Sequence, residues 1–374
     1  MLQDYLLSAL HLFMICVSIY ALCFFHYKPR NTGNAKISFI ILALSLTLSA
    51  LFCLGDFFQT IGLLFTWLFV CLPIFIGGIG VFSLFNSNCK NVAISVFYIL
   101  FAIVTTSFGY YISFIEPYNL KISHIKINSN NIKGNITVVV LADIQTNNVT
   151  NYERRVFNEV KNLKPDLLLF AGDYIQTDLN KKSKVLMEQL SLLIKEASYS
   201  PKLGAYAIEG NVDLRFNWEE IFKNTNIKTI KDTTHLSIGE VELTLLSLHD
   251  SFNENLEIEP TTSKFNIIMG HSPNFALGKN SANVLLAGHT HGGQIHIPSI
   301  GPLLTLSKLP RKWASGQTHI SSEKTLIVSN GIGYEHNGAP RIRFLCPPEI
   351  IVLELNPALM SFEQLSAQSL AIKN

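Results

Sequence analysis

Hydrophobic and polar positions divide the chain near residue 115. Before it, four apolar stretches run over 5–25, 37–55, 61–85 and 92–115, and none holds Asp, Glu, Lys or Arg. Each is long enough for a helix to cross a hydrocarbon core, which takes roughly 20 residues. The pattern therefore predicts four transmembrane helices. A cleaved signal peptide fits the first stretch poorly: no basic segment precedes it, and three more stretches follow.

Glu116-Pro117-Tyr118 marks the exit from that region, and the pattern changes. Short runs of three to eight mostly apolar residues predict strands at 137–141, 167–170, 205–208, 241–248, 265–269, 284–286, 325–328 and 350–355. Val156, Val160 and Leu163 recur at helical spacing within 152–163, and 185–197 reads as a second helix. Strand and helix alternate first, and strands dominate later. This predicts one α/β layered domain over 116–356 with at least one large mixed sheet, followed by a weak helix or loose tail at 357–374.

Charge sets the expected orientation. Lys28, Arg30 and Lys36 lie between the first two apolar stretches and Lys90 between the last two, whereas the alternate segments hold only Asp4 and Asp56. The positive-inside rule then puts the Lys/Arg loops in the cytoplasm and everything after residue 115 outside the cell membrane. The four Lys/Arg and two Asp/Glu of residues 1–115, taken from 29 and 27, leave 25 of each for the rest of the chain. A neutral domain carries no electrostatic footprint for nucleic acid. Cys16, Cys23, Cys53, Cys71 and Cys89 lie in or beside the apolar stretches, and Cys346 stands by itself in the domain, so no disulfide forms within it. A transport role is disfavoured, because intramembrane charges usually mark a transport path.

Candidate chemistry sits at strand ends. Asp143 and Gln145 follow the first predicted strand, Gly172-Asp173 the second, and Gly210-Asn211-Val212-Asp213 the third. Gly270-His271 and Gly288-His289-Thr290-His291-Gly292-Gly293 follow two later ones. Ligands of open α/β sheets bind beyond the carboxyl ends of the strands. Asp, Asp, Asn, His and His-x-His delivered there form a metal-ligand inventory, and imidazole suits zinc, iron, nickel and copper. His296 reads as a strand residue, and His235 and His319 as surface. Thr146 and Gln176 read as neighbours of the ligands or ordinary loop residues, Gly292 and Gly293 as backbone enablers, and Asn330 and Tyr334 as residues of the pocket mouth.

In this order the motifs resemble those of the calcineurin-like metallophosphoesterases: Asp-x-His, Gly-Asp, Gly-Asn-His-Asp/Glu, Gly-His and Gly-His-x-His. The resemblance covers about residues 130–356. Gly331-Ile332-Gly333, Arg341 and Pro348-Glu349-Ile350 are typical of the family's small membrane-associated branch. It implies a two-sheet β-sandwich flanked by helices, with two divalent metal ions (Mn, Fe or Zn) at its edge and a water activated to attack phosphorus. The first ion would be held by Asp143, Asp173 and His291, and the second by Asp173, Asn211, His271 and His289, with Asp173 bridging. Asp173, Asn211 and His289 would act in catalysis.

Two positions depart from that pattern. Gln145 stands where the family has a histidine ligand, so an amide oxygen replaces an imidazole and the first site should be weaker or favour Mn. Val212 stands where the family has a histidine that protonates the leaving group. General acid catalysis typically contributes about 10²–10⁴-fold, so its loss hurts most where an alkoxide departs. Val212 thus points to a phosphoanhydride or activated ester, unless His249 or His336 supplies the proton. The expected protein is a multi-pass membrane hydrolase of a phosphodiester or phosphoanhydride, with the lipid bilayer as its surroundings and a lipid-linked phosphate as the first guess for substrate. A broad phosphodiesterase with a localising tether is one alternative. A catalytically impaired pseudoenzyme acting as sensor or scaffold is the other.

Overall fold

A computed structural model describes residues 13, 14, 17, 57–85, 91–177, 180–259, 263–336 and 339–358. The chain forms two compact units, one of residues 1–117 with 335–342 and one of residues 118–334 with 343–374. In the first unit α1 (Phe57–Thr66) runs through a π turn (Trp67–Cys71) into α2 (Leu72–Phe85), which packs on α3 (Val92–Tyr110). Phe57–Phe85 and Val92–Tyr118 are long and apolar enough to cross a membrane. The stretches 5–25 and 37–55, expected to be the first two spans, lie outside the described residues apart from positions 13, 14 and 17.

The second unit is a sandwich of two sheets. Its strands are β1 (Lys121–Ser129), β2 (Ile136–Leu141), β3 (Leu167–Phe170), β4 (Ala205–Ile208), β5 (Ile227–Ile230) and β6 (Thr234–Ile238). They continue with β7 (Val241–Leu245), β8 (Phe265–Met269), β9 (Val284–Ala287), β10 (Gly316–His319), β11 (Thr325–Val328) and β12 (Glu349–Pro357). The first sheet has the order β1-β12-β2-β3-β4-β5 and the second β10-β11-β9-β8-β7-β6. β2 to β5 are mutually parallel, as are β7, β8, β9 and β11. Their carboxyl ends therefore leave each sheet on one side.

The alternation along the strands explains their unbroken apolar runs. Val138, Val140, Leu167 and Leu169 face β8, β9 and β11 through Ile267, Met269, Val284, Leu286 and Ile327, between the sheets. Val139, Leu141, Leu168 and Phe170 face the other way, against Val156, Phe157 and Val160 of α4 (Asn151–Leu163) and Leu186 and Leu190 of α5 (Asn180–Ala197). A strand buried on both faces has no polar face to show. Each such side chain contributes about 1.5–3 kcal/mol by leaving water. α4 starts at a capping box, in which the Thr150 side chain accepts from the Tyr152 N–H and Glu153 accepts from the Thr150 N–H at 2.7 Å.

One predicted boundary is corrected. The strand expected at 241–248 stops at Leu245, because Ser247 accepts from the Asp250 N–H and caps a short helix, α6 (Leu248–Phe252). The strands β1, β5, β6 and β10 were not expected. β1, β5, β6 and β10 are the sheet edges, half wet and polar at alternate positions.

Candidate metal centre

Every candidate ligand lies just past a parallel strand. Asp143 and Gln145 follow β2, Asp173 follows β3, Asn211 follows β4, His271 follows β8, and His289 and His291 follow β9. Tight turns are needed there, and the backbone shows them: Asp143, Gln145, Asp173, His289 and His291 all have positive φ, between 38° and 71°. Non-glycine residues in that region cost of order 1–3 kcal/mol each and gather where function demands the geometry. Gly210 lets the third turn approach the second, since a Cβ there would overlap Asp173 Oδ1.

The structure brings the separate turns together. His271 Nε2 lies 2.9 Å from Asn211 Oδ1 and 3.4 Å from Asp173 Oδ2, and its Nδ1 lies 4.0 Å from Asp143 Oδ1. The His289 backbone N–H donates to both Asp143 oxygens at 3.0 Å. One ligand atom from each of Asp173, His271 and His289 lies within 4.8 Å of the others. A Cβ on Gly331 would stand 3.1 Å from Asp143 Oδ2 and 3.2 Å from His291 Nδ1, so these two donors flank one point.

The donor set fits a cation. His271 Nδ1 donates to the Ala171 carbonyl at 2.8 Å, so Nε2 is the ring atom that faces the oxygens of Asn211 and Asp173. Acceptor atoms meeting face to face repel unless a proton or a metal lies among them. His291 Nδ1 is buried without a hydrogen-bond partner. Carboxylate, amide and imidazole together suit Mn, Fe or Zn.

The protonation states of two of the rings fit as well. Burial lowers His289 to about 4 and His291 to about 3, so both rings are neutral, as ligation requires. Burial also disfavours a charged His271, but the Asp173 and Asp143 carboxylates outweigh it and lift the ring to about 9. Asp143 is pushed up to about 7, chiefly by burial and despite His271. Asp173 is penalised by burial too, yet His271 beside it holds its carboxyl below the usual range.

Other expected residues take varied places. Gln145 is buried and its amide nitrogen donates to Gln176 at 2.9 Å. Val212 is buried, with its N–H on Asp173 Oδ1 at 2.8 Å. Thr146 donates to Glu153 and so belongs to the α4 cap. Gly292 and Gly293 both have positive φ. His296 sits in a two-residue ladder with its Nε2 at 2.6 Å from the Gly292 carbonyl. His235 and His319 are exposed on β6 and β10. His249 is exposed and meets Asp250 at 3.3 Å, whereas His336 belongs to the other compact unit. Asn330 is buried and accepts from Ser315, and Tyr334 is half-buried.

Three supporting residues emerge only in three dimensions. Asp213 accepts from the N–H groups of Asp173, Tyr174 and Gly210 at 2.7–2.9 Å and so clamps the turn of Asp173 to that of Asn211. Phe252 of α6 stacks edge-on to His289 with ring centres 4.9 Å apart. Arg343, which the sequence motifs do not single out, is fully buried, and it donates to the carbonyls of Asn330, Gly333 and Cys346. The Arg-x-Arg spacing alone does not say which of the pair points inward.

The two-sheet sandwich thus delivers this cluster to one edge, at the carboxyl ends of its parallel strands. Residues 136–293 match the profile of the family described as calcineurin-like phosphoesterase. An uncharacterized metallophosphoesterase of Campylobacter jejuni is 26% identical over 251 residues, 63% of this chain and 63% of that protein, so the chain spans less than two thirds of it. The phosphodiesterase YaeI of Escherichia coli is 25% identical over 205 residues, 51% of this chain and 71% of its own. UDP-2,3-diacylglucosamine pyrophosphatase LpxG of Chlamydia muridarum is 24% identical over 283 residues, 58% of this chain and 83% of its own.

Proposed function

We propose that the protein is a membrane-anchored hydrolase that cleaves a lipid-linked phosphodiester or phosphoanhydride with two divalent metal ions. The observation that carries this reading is the convergence of Asp173, His271 and His289, with ligand atoms within 4.8 Å. Asp143, Asp173 and His291 would hold the first ion, with Gln145 at the position of a further ligand. Asp173, Asn211, His271 and His289 would hold the second. Such a pair, when bound, supplies an activated water and neutralises charge on the phosphoryl oxygens. Asn211 and His289 are the half-buried members of the cluster, so they are the ones that can reach substrate oxygens.

The residues around the centre restrict the leaving group. Val212 has no proton to give, and the adjoining Asp213 is fully buried and engaged by three backbone N–H groups. A phosphate or nucleotide leaving from an anhydride scarcely needs a proton, whereas an alkoxide does. A pyrophosphate bond is also what the name of the Chlamydia relative describes. The apolar helices Phe57–Phe85 and Val92–Tyr118, with the stretches 5–25 and 37–55, support a multi-pass anchor. The Lys/Arg asymmetry supports an extracytoplasmic domain.

The test uses the purified full-length protein with added Mn. Metal content, and turnover of a pyrophosphate-linked lipid against an alkyl phosphodiester, are measured together. The expected result is two ions per chain and preferred turnover of the anhydride. Gln145 and Val212 favour the pseudoenzyme as a second reading, and two bound ions with no turnover of either substrate would establish it. Orientation is tested separately: a reporter fused after residue 115 should read as extracytoplasmic and one fused within 28–36 as cytoplasmic.

A further inference from the structure

The domain exposes an apolar lip beside the metal centre that the hydrolase reading leaves unexplained. Nine large hydrophobic residues of this unit are exposed among those described, and five of them, Ile300, Leu303, Leu304, Leu306 and Leu345, are 37–56% exposed in one neighbourhood. The segment 295–307 contains no Asp, Glu, Lys or Arg. Monomeric soluble domains scatter such residues singly, and a contiguous exposed group marks an interaction surface.

The lip is held in place by the metal-binding turns. A hairpin pairs His296–Ile297 with Gly301–Pro302, and the His296 ring is fastened to the Gly292 carbonyl. Gly293 leaves room for the Leu304 carbonyl and the Pro302 ring to pack against its turn, and the Lys308 N–H donates to Asn274, on the turn after His271, at 3.0 Å. Ile295 pairs with Phe344, which brings Leu345 to the same side. Leu306 and Leu345 have φ of 49° and 51°, a conformation leucine rarely adopts. The fold thus holds leucines outward at the mouth of the site. Beyond Lys308, which pairs with Glu254, Arg311 and Lys312 are exposed and without an ion-pair partner among the described residues.

We propose that this lip docks on an anionic phospholipid bilayer, with Ile300, Leu303, Leu304, Leu306 and Leu345 among the acyl chains and Arg311 and Lys312 at the headgroups. Apolar residues flanked by unpaired cations match the layered chemistry of such a surface, which attracts basic residues and takes up apolar ones. Docked there, the mouth of the metal centre opens at the height of lipid phosphates. The inference rests on the reading that the apolar helices anchor the chain in a membrane.

The test uses the full-length chain in liposomes of phosphatidylcholine, with and without phosphatidylglycerol. A fluorophore is attached at Leu304→Cys or Leu303→Cys, with Lys195→Cys as control, in a background whose native cysteines are serine. Lipids carrying a nitroxide on the acyl chain should quench the two lip positions at least two-fold and leave the control unchanged. Phosphatidylglycerol should strengthen the quenching, and Arg311→Gln/Lys312→Gln should remove that gain. Absence of lipid quenching at both lip positions, in protein retained by the liposomes after carbonate washing, overturns the docking. A fluorescence shift that follows protein concentration instead would identify a second copy as the occupant and overturn it as well. Protein lost in the washing would refute the anchor itself. Hydrolysis of a soluble aryl phosphodiester by the unmodified protein, measured in parallel, reports the hydrolase reading independently.

Discussion

The two sheets build unlike halves of one site. Turns of the first sheet carry oxygen donors, Asp143, Asp173 and Asn211, with Gln145 beside them. Turns of the second carry nitrogen donors, His271, His289 and His291. The oxygen half is tied internally, through Asp213 and the N–H of Val212 on Asp173. The nitrogen half is tuned from across the gap: His289 and His291 are kept neutral by burial, whereas His271 is lifted to about 9 by the carboxylates opposite. The carboxylates of the first sheet thus set the charge of His271 on the second. Both departures from the family pattern, Gln145 and Val212, fall in the oxygen half, and the imidazole set is complete. Chemistry specific to this chain is therefore expected from the first sheet.

The most severe way to break the pairing is to remove the residue both ions would share. Asp173→Ala should lower kcat/KM by about 10³-fold or more, at least ~4 kcal/mol of barrier, and cost at least one bound metal. Metal analysis of the folded variant beside its kinetics checks this, and two retained ions would show that Asp173 does not bridge.

Protons couple the halves next most strongly. Without metal, His271 keeps its proton up to about 9 and Asp143 up to about 7, and metal binding displaces both. The metal-free form binds more protons, so affinity rises with pH. The slope should approach about two decades per unit below pH 7, fall to about one between 7 and 9, and level off above 9. Calorimetry in buffers of different ionisation enthalpy counts the protons, and none released at pH 6 would contradict the coupling.

The departures sharpen the comparison on a smaller scale. Val212→His restores an imidazole, but Asp213 already serves three backbone donors and has little left to orient it. The expected gain on an alkyl phosphodiester is at the low end of general acid catalysis, about 10-fold or less, and near unity on a pyrophosphate-linked substrate. Measuring kcat/KM on both substrates in both proteins separates the outcomes, and equal gains would refute the leaving-group argument. Gln145→His should have the smallest effect, tightening the first site several-fold, more for zinc than for manganese. Competitive metal titration reads it, and an unchanged affinity would show that residue 145 does not reach the ion.

The sheets were legible where burial is complete. β2, β3, β4, β8, β9 and β11 are buried on both faces and so appear as short unbroken apolar runs, with glycine or a polar turn where each ends. The edge strands were not: β5, β6 and β10 alternate over only four or five residues, and in the longer β1 the isoleucines are separated by Ser, His and Lys with no apolar run. The strand expected through Leu248 shows a local contest: the apolar run continues through Leu246, and the hydroxyl of Ser247 turns the chain into α6.

By itself, the sequence determined which residue types stand at each strand end, how far the charge-free apolar stretches extend, and where the family's histidines are replaced. These are local properties, carried by composition and short-range period. The tertiary structure alone decided that Arg343 is fully buried, that Asp213 is committed to backbone N–H groups, and that Leu303, Leu304 and Leu306 stand exposed. Each depends on separate turns meeting in space, with partners 3 to 13 residues away for Arg343 and 3 to 40 for Asp213, where burial and neighbouring groups, rather than residue identity, set what a side chain can do.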